Sequence, residues 1–120
     1  MSAYNFQARF APLVASGEKR QTIRATGKRR HAAVGDRIQI YTGMRTNACR
    51  KLVHPDPICT FAAAVYICHG IGSPAVLIAG HETPDPDAFA RADGFDNFYA
   101  MLDWFGKTHG LPFDGVLIKW

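Results

Sequence analysis

Lys19 and Thr22 stand three residues apart in the stretch Gly17-Glu18-Lys19-Arg20-Gln21-Thr22-Ile23-Arg24. A lysine amine beside a threonine hydroxyl can serve as general base to a hydroxyl nucleophile, provided burial or nearby positive charge lowers the amine's pKa. Arg20 and Arg24 would supply that positive field. The spacing puts a condition on the backbone. In an extended strand, residues three apart face opposite ways. In a helical turn or a tight loop they converge. Gly17 suits a helix stop, and a loop after it allows convergence. The same residues also fit a plainer reading, with Lys19 and Arg20 as solvated loop charges and Thr22 as a strand residue.

Other residues invite chemistry less specifically. The run Lys28-Arg29-Arg30-His31 could hold phosphate or be a solvated loop, and Arg45, Arg50 and Lys51 extend the same charge. Tyr41 could stack on a base or simply pack. Cys49, Cys59, Cys68, His54, His69 and His81 raise the question of zinc, but their spacing fits no paired C-x-x-C or H-x-x-x-H ligands. Cys59 and Cys68 read as core thiols, and His81-Glu82 as a loop. No glycine-rich dinucleotide loop or P-loop is present.

The elements that must position these groups are bounded by size and charge. A chain of 120 residues fits a single domain over 1–120 with one core. Hydrophobic residues make up 48% and charged residues 20%, the balance of a globular chain rather than a disordered one. No apolar run approaches the roughly 20 residues that span a bilayer, so no membrane partner is expected. The first ten residues lack the features of a signal peptide, and three cysteines are an odd number. A reduced, cytoplasmic setting is therefore expected. Charge is uneven. Residues 1–51 carry eleven Lys or Arg against Glu18 and Asp36, a net +9, while residues 52–120 carry three against eight acids, a net −5. The basic half points to phosphate-bearing partners, unless the cations merely solubilise.

Residues 5–10 alternate as a strand with Phe6, Ala8 and Phe10 on one face. Residues 11–17 read as a short helix, with Pro12 in the first turn and Gly17 past the end. Residues 17–24 match neither period cleanly, and 25–33 form a basic loop. The clearest strand follows the Gly35-Asp36 turn, with Ile38, Ile40 and Thr42 sharing a face. Residues 44–57, broken by Pro55 and Pro57, are a loop or an edge strand. Residues 58–70 read as a long strand and 74–80 as a short buried one. A helix capped by Thr83 and Pro84 ends near Gly94. A second spans 95–109, with Phe95, Phe98, Tyr99, Leu102 and Phe105 as its core stripe and Gly110 as its stop. Residues 113–120 form a final strand. The order predicts an α+β fold, a small closed or half-closed β-barrel of about five to six strands with two or three flanking helices.

Taken together, the G-x-K-x-x-T-x-R loop, the Gly-Asp turn of VGDRIQIYTG, the start of ADGFDNFYAMLDWF and the closing GVLIKW resemble the ASCH domain. The resemblance runs from Phe6 to Trp120. It implies a PUA-like β-barrel, related to RNA-binding modules. Small bacterial members include amidohydrolases that remove the acetyl group from N4-acetylcytidine. Lys19 and Thr22 match the Lys and Thr of their catalytic set, and the piece Phe6-Gln7-Ala8-Arg9-Phe10 sits at the family's spacing from that Lys. Asp93, in Ala92-Asp93-Gly94-Phe95, falls where those enzymes carry Glu, a shorter arm that must still reach Lys19. Residues 43–57 are longer and more basic than in the smallest members.

The resemblance implies that Lys19, partly neutral, takes the Thr22 proton as that oxygen attacks the acetyl carbonyl. Asp93 would orient Lys19 or carry a proton to the leaving amine. Arg24 or a backbone N–H would stabilise the oxyanion. Attack by water, with Thr22 only positioning it, fits the same residues. Arg24, Phe6 and Tyr41 are the expected substrate contacts, and Arg9, Arg20, Lys28, Arg29 and Arg30 the expected phosphate or RNA contacts. Neither a metal nor an organic cofactor is implied. The alternative is an RNA-binding module, or a ribonuclease, using the same basic cleft. Salt separates the two, because RNA binding weakens steeply as salt rises while turnover of an uncharged nucleoside barely responds.

Overall fold

A computed structural model describes residues 2–69 and 72–120. Local punctuation places the first elements. Strand β1 (Ser2–Phe6) runs into Phe10, which caps helix α1 (Ala11–Ser16), with Pro in the first helical turn. Gly17, at φ +85°, ends the helix in the left-handed conformation that a Cβ would resist. The predicted strand over 5–10 is therefore displaced. Phe6 and Phe10 are both buried, but one ends a strand and the other starts a helix. Their spacing mimics alternation without a strand between them.

The chain continues through β2 (Gln21–Ala25), β3 (Ile38–Thr42), β4 (Arg50–Lys51), β5 (Phe61–Cys68), β6 (Ala75–Ile78) and β7 (His81–Glu82). It ends with α2 (Pro86–Ala92), α3 (Phe98–Thr108) and β8 (Phe113–Lys119). The strand predicted from alternation after Gly35-Asp36 is β3, with Ile38 and Ile40 fully buried. The predicted long strand is β5, and Gly70 at the end of that run lies outside the described residues. Residues 17–24, which match no period, hold the start of β2. The stretch 44–57 contributes only the two-residue β4, and His81-Glu82 forms β7 rather than a loop.

The helices near the site start later than their sequence signals suggest. Asp85, not Thr83, caps α2: its carboxylate accepts the Ala88 N–H at 3.0 Å, and the Pro in the first turn is Pro86. Asn97 caps α3 by accepting the Ala100 N–H at 2.9 Å, so Phe95 packs from the preceding loop. Within α3 the buried side chains are Phe98, Met101, Leu102 and Phe105, an i, i+3, i+4, i+7 stripe. Tyr99 sits about 100° round the helix from Phe98. It is 78% exposed, not part of the core stripe.

The fold is α+β. Among the described residues there are eight strands in two sheets, with three helices and no closed barrel. One sheet orders β1-β3-β4, with β1 parallel to β3. A parallel pair needs a crossover, here α1 and β2. The other sheet is antiparallel, in the order β2-β8-β5-β6-β7. The five-to-six-strand expectation missed β2, which shows no clean period, and the two-residue β7, while the two-residue β4 lies in the stretch expected as a loop or an edge strand. A single bridge, Arg37 to Ile58, joins the ends of the two sheets. The core lies between them: Tyr4 and Phe6 from β1, Val65 and Ile67 from β5, Leu117 and Ile118 from β8, closed by Met101 and Phe105 of α3.

Candidate active site

Three segments distant in sequence build the site. Past Gly17, the Lys19 N–H donates to the Leu13 carbonyl at 3.0 Å, which turns the chain back against α1. Strand β2 begins only at Gln21, paired with Lys119, so strand alternation does not dictate where Lys19 points. Lys19 and Thr22 both face one pocket, the convergence their spacing requires. Asp93 comes from the opposite end of the chain. It closes α2, its N–H bonded to the Phe89 and Ala90 carbonyls. It is thus a helix C-cap, and the N-cap of α3 is Asn97.

Lys19 and Asp93 are buried side by side. Lys19 Nζ donates to the Asp93 carbonyl at 2.5 Å and lies 3.2 Å from Asp93 Oδ1. Gln21 Nε2 donates to the same Oδ1 at 3.2 Å. The Lys19 ammonium also faces the rings of Phe10, at 5.1 Å, and Phe6, at 5.8 Å. Gly94, at φ +97°, makes room for this approach: a Cβ there would come within 3.2 Å of Lys19 Cδ and 3.1 Å of the Phe10 ring. Asp93 therefore reaches Lys19 despite its short arm.

Burial pushes both partners toward their neutral forms. Desolvation lowers the Lys19 pKa against the pull of Asp93, and Arg24 lowers it further. Desolvation raises the Asp93 pKa against the opposing effects of Lys19, Gln21 and Arg24. Arg24 is half-buried. Desolvation first, then Arg29, brings its guanidinium down to about 10, which leaves it charged at neutral pH. Arg24 Nε donates to Thr22 Oγ1 at 2.9 Å, and its Nη2 to the Asn5 carbonyl at 2.8 Å. The Thr22 hydroxyl proton is thereby left free to point elsewhere. No hydrogen bond joins Lys19 directly to Thr22.

The pocket has a volume of about 200 Å³. It collects Phe6, Lys19, Thr22, Arg24 and Asp93 from among the predicted site residues. Tyr41 lies outside its lining, half-buried with Lys51 Nζ 5.6 Å from its ring. Arg9 lies outside as well, over the rings of Phe10 and Phe95, as does Arg20, whose Nε donates to the Trp120 carbonyl at 3.2 Å. Lys28, Arg29 and Arg30 are exposed on the loop beyond β2. There Arg29 bonds the Ala3 carbonyl and covers the Tyr4 ring, and Arg30 lies 3.9 Å from Asp36.

The opposite wall comes from the end of α3: Trp104, Phe105, Thr108 and His109. His109 packs on Trp104, Phe105 and Phe113 with ring centroids 5.0–5.7 Å apart, and burial lowers its pKa. The helical spacing of Phe105 showed in the sequence, but nothing there placed Trp104 or His109 opposite Lys19. Gln21, which holds the Asp93 carboxylate, was also missed, because a glutamine in an unpatterned stretch carries no signal.

Among the described residues no group of three or more His, Cys, Asp or Glu gathers to hold a metal. Cys59 is buried, Cys68 half-buried and Cys49 exposed. No helix there is long and apolar enough to cross a membrane. Comparison with known proteins returns no matching family model, no matching curated protein and no matching solved structure.

Proposed function

We propose that this chain is an amidohydrolase of the ASCH type, removing the acyl group from an N4-acylated cytidine-type nucleoside such as N4-acetylcytidine. In this reading the two sheets are the halves of a PUA-like barrel, with the Arg37–Ile58 bridge on their seam. The observation that carries the reading is the buried Lys19–Asp93 pair facing the same small pocket as a Thr22 hydroxyl held by Arg24.

Lys19, drawn toward its neutral form by burial, accepts the Thr22 proton directly or through one water. Thr22 Oγ1 attacks the acetyl carbonyl carbon and forms a C–O bond. Arg24 Nε, already bonded to Thr22 Oγ1, steadies that oxygen as its proton leaves, and the guanidinium charge or a backbone N–H stabilises the oxyanion that develops on the acetyl oxygen. The C–N bond then breaks. The departing amine takes the proton from Lys19, so cytidine leaves neutral, and Asp93 holds Lys19 in place. Water, deprotonated by Lys19, attacks the acyl-Thr22 ester; its C–O bond breaks, Lys19 returns the proton to Thr22 Oγ1, and acetate leaves. The aromatic wall of Phe6, Trp104 and His109 faces the base.

The purified protein is incubated with N4-acetylcytidine and cytidine release followed by chromatography. Release by the native chain and by Thr22→Ser, but by neither Lys19→Ala nor Thr22→Val, is expected. Activity rises with pH along a limb set by Lys19, below the ordinary lysine value of 10.5. Turnover retained by Lys19→Ala overturns the mechanism. No release by the native chain overturns the substrate assignment.

A further inference from the structure

A groove of about 530 Å³ lies against the pocket, and Asn5, Phe6 and Gln7 form the wall between them. That wall is tied from both sides. On the pocket side Arg24 Nη2 donates to the Asn5 carbonyl at 2.8 Å. On the groove side the Met44 N–H donates to Asn5 Oδ1 at 3.0 Å, and Thr42 Oγ1 to the Phe6 carbonyl at 2.7 Å. The far bank is Thr42, Gly43, Ala48 and Arg50. Its turn is held by Thr46, whose hydroxyl donates to the Gly43 carbonyl at 2.6 Å. Within it Arg45 adopts φ +66°, a conformation that ordinarily goes to glycine or asparagine. A long cation kept at a strained position beside a groove suggests use rather than packing.

The charge pattern agrees. Among the described residues, the carboxylates within 4.0 Å of a cation are those on Lys19, Arg30, Lys51 and Lys107. Arg9, Arg24, Lys28, Arg29, Arg45 and Arg50 have no such partner there. Five of these six are exposed, and Arg24 is half-buried. The pocket, at about 200 Å³, is below the roughly 300–1,000 Å³ of sites for drug-sized ligands. It has room for one base with its acyl group. A free nucleoside would leave the groove, its Arg50 and the neighbouring Arg45 without a role.

We propose that the groove is a polynucleotide subsite, so that the base entering the pocket is carried on a single-stranded RNA. The strand crosses the Asn5-Phe6-Gln7 wall, with Arg45 and Arg50 on the phosphates of the neighbouring nucleotide. This rests on the proposed base pocket for its orientation, but its binding is read without turnover. The probe is fluorescein-labelled, unmodified oligocytidylate RNA, titrated by anisotropy over a range of salt.

Steeply salt-dependent binding is expected. Arg50→Ala should lower the log–log salt slope by about 0.7 and weaken binding about fivefold at 0.1 M salt. Arg45→Ala should act similarly, Arg50→Lys should restore the slope, and Lys107→Ala, on the exposed Asp103 pair, should match the native chain. In the second arm, an oligonucleotide containing N4-acetylcytidine should be hydrolysed with higher kcat/KM than the free nucleoside, and Arg50→Ala should reduce that ratio. Salt-insensitive binding, or Arg50→Ala behaving like Lys107→Ala, overturns the subsite even if the nucleoside is hydrolysed. Arg50-dependent RNA binding without hydrolysis of either substrate supports the subsite and removes the amidohydrolase reading instead.

Discussion

Replacing Asp93 by Asn tests the buried pair at the centre of the site. The substituted amide keeps an oxygen to accept from Gln21, so the geometry around it is retained while the charge is lost. Lys19 is left 4% exposed at its side chain, with the residue-93 carbonyl and two aromatic faces as its remaining partners. Two limits bound the cost. Removing one partner of a buried ion pair typically costs about 3–5 kcal/mol. Lys19 can instead shed its proton. From the ordinary value of 10.5 to pH 7, at about 1.4 kcal/mol per pH unit, that escape costs at most about 5 kcal/mol. The native protein already carries part of this cost, because Lys19 is already lowered. The added loss should therefore be about 2–4 kcal/mol at pH 7.

The sign of the pH dependence follows from the same groups. Without Asp93 the folded-state pKa of Lys19 falls further below its unfolded value. Between those values the unfolded chain holds more protons, so stability rises with pH. The ceiling on the loss shrinks accordingly to about 2 kcal/mol at pH 9. Urea unfolding of the native chain and Asp93→Asn at the two pH values measures this directly. Adding Lys19→Met to Asp93→Asn should recover stability at pH 7, because the uncompensated charge is gone. A loss under about 1 kcal/mol at pH 7, or one that does not shrink by pH 9, would refute a charged Lys19 held by Asp93.

Two further substitutions probe how the pair is held. Gly94→Ala forces a Cβ to within 3.1–3.2 Å of Phe10 and Lys19 at a φ of +97°. It should cost about 1–2 kcal/mol and also lower turnover, by displacing the lysine stem; an unchanged urea midpoint and unchanged rate would remove the argument for a required glycine. Asn97→Ala removes the α3 cap and should cost about 1 kcal/mol by urea unfolding. Because Asn97 does not line the pocket, kcat of the variant should stay native, and a large fall in kcat would mean that the start of α3 positions the site.

How much was legible depended on how strongly each segment was patterned. Strand β3 showed because alternation and burial coincide at Ile38, Ile40 and Thr42. Helix α1 showed because Pro12 and Gly17 bracket it. Strand β1 was displaced because Phe6 and Phe10 are buried for different reasons. The cap of α2 was misplaced because Thr83-Pro84 and Asp85-Pro86 offer the same signal twice in four residues, and only Asp85 bonds the helix. Strand β2 gave no period because Gln21 and Thr22 are adjacent, polar and both buried, one on Asp93 and the other beside Arg24. That failure lies on the site itself, where local rules are expected to yield to function. The Lys19–Thr22 spacing was legible as a pattern. The wall of Trp104 and His109 was not, since it exists only once Phe105 and His109 pack on Phe113 of β8.

The same geometry bears on the acid's side chain. A buried ion pair is rarely a net gain over apolar packing, so its retention calls for another reason. Among the described residues, Lys19, Gln21, Thr22 and Asp93 make up four of the five buried polar residues; Lys19, Thr22 and Asp93 line one pocket, and Gln21 bonds the Asp93 carboxylate. Lys19 is held first by the backbone carbonyl of residue 93, at 2.5 Å, and only then by its carboxylate, at 3.2 Å. The carbonyl's place is set by the end of α2 and the turn at Gly94, whatever side chain residue 93 carries. Orientation of the lysine therefore does not depend on carboxylate length. The carboxylate is left to set the charge of the pair, which a short Asp does as well as a longer Glu. If that division holds, Asp93→Asn leaves Lys19 in place but shifts the pH at which it becomes neutral. The rising limb of activity should then move to lower pH rather than vanish, and loss of activity at every pH would show that the carboxylate itself transfers the proton.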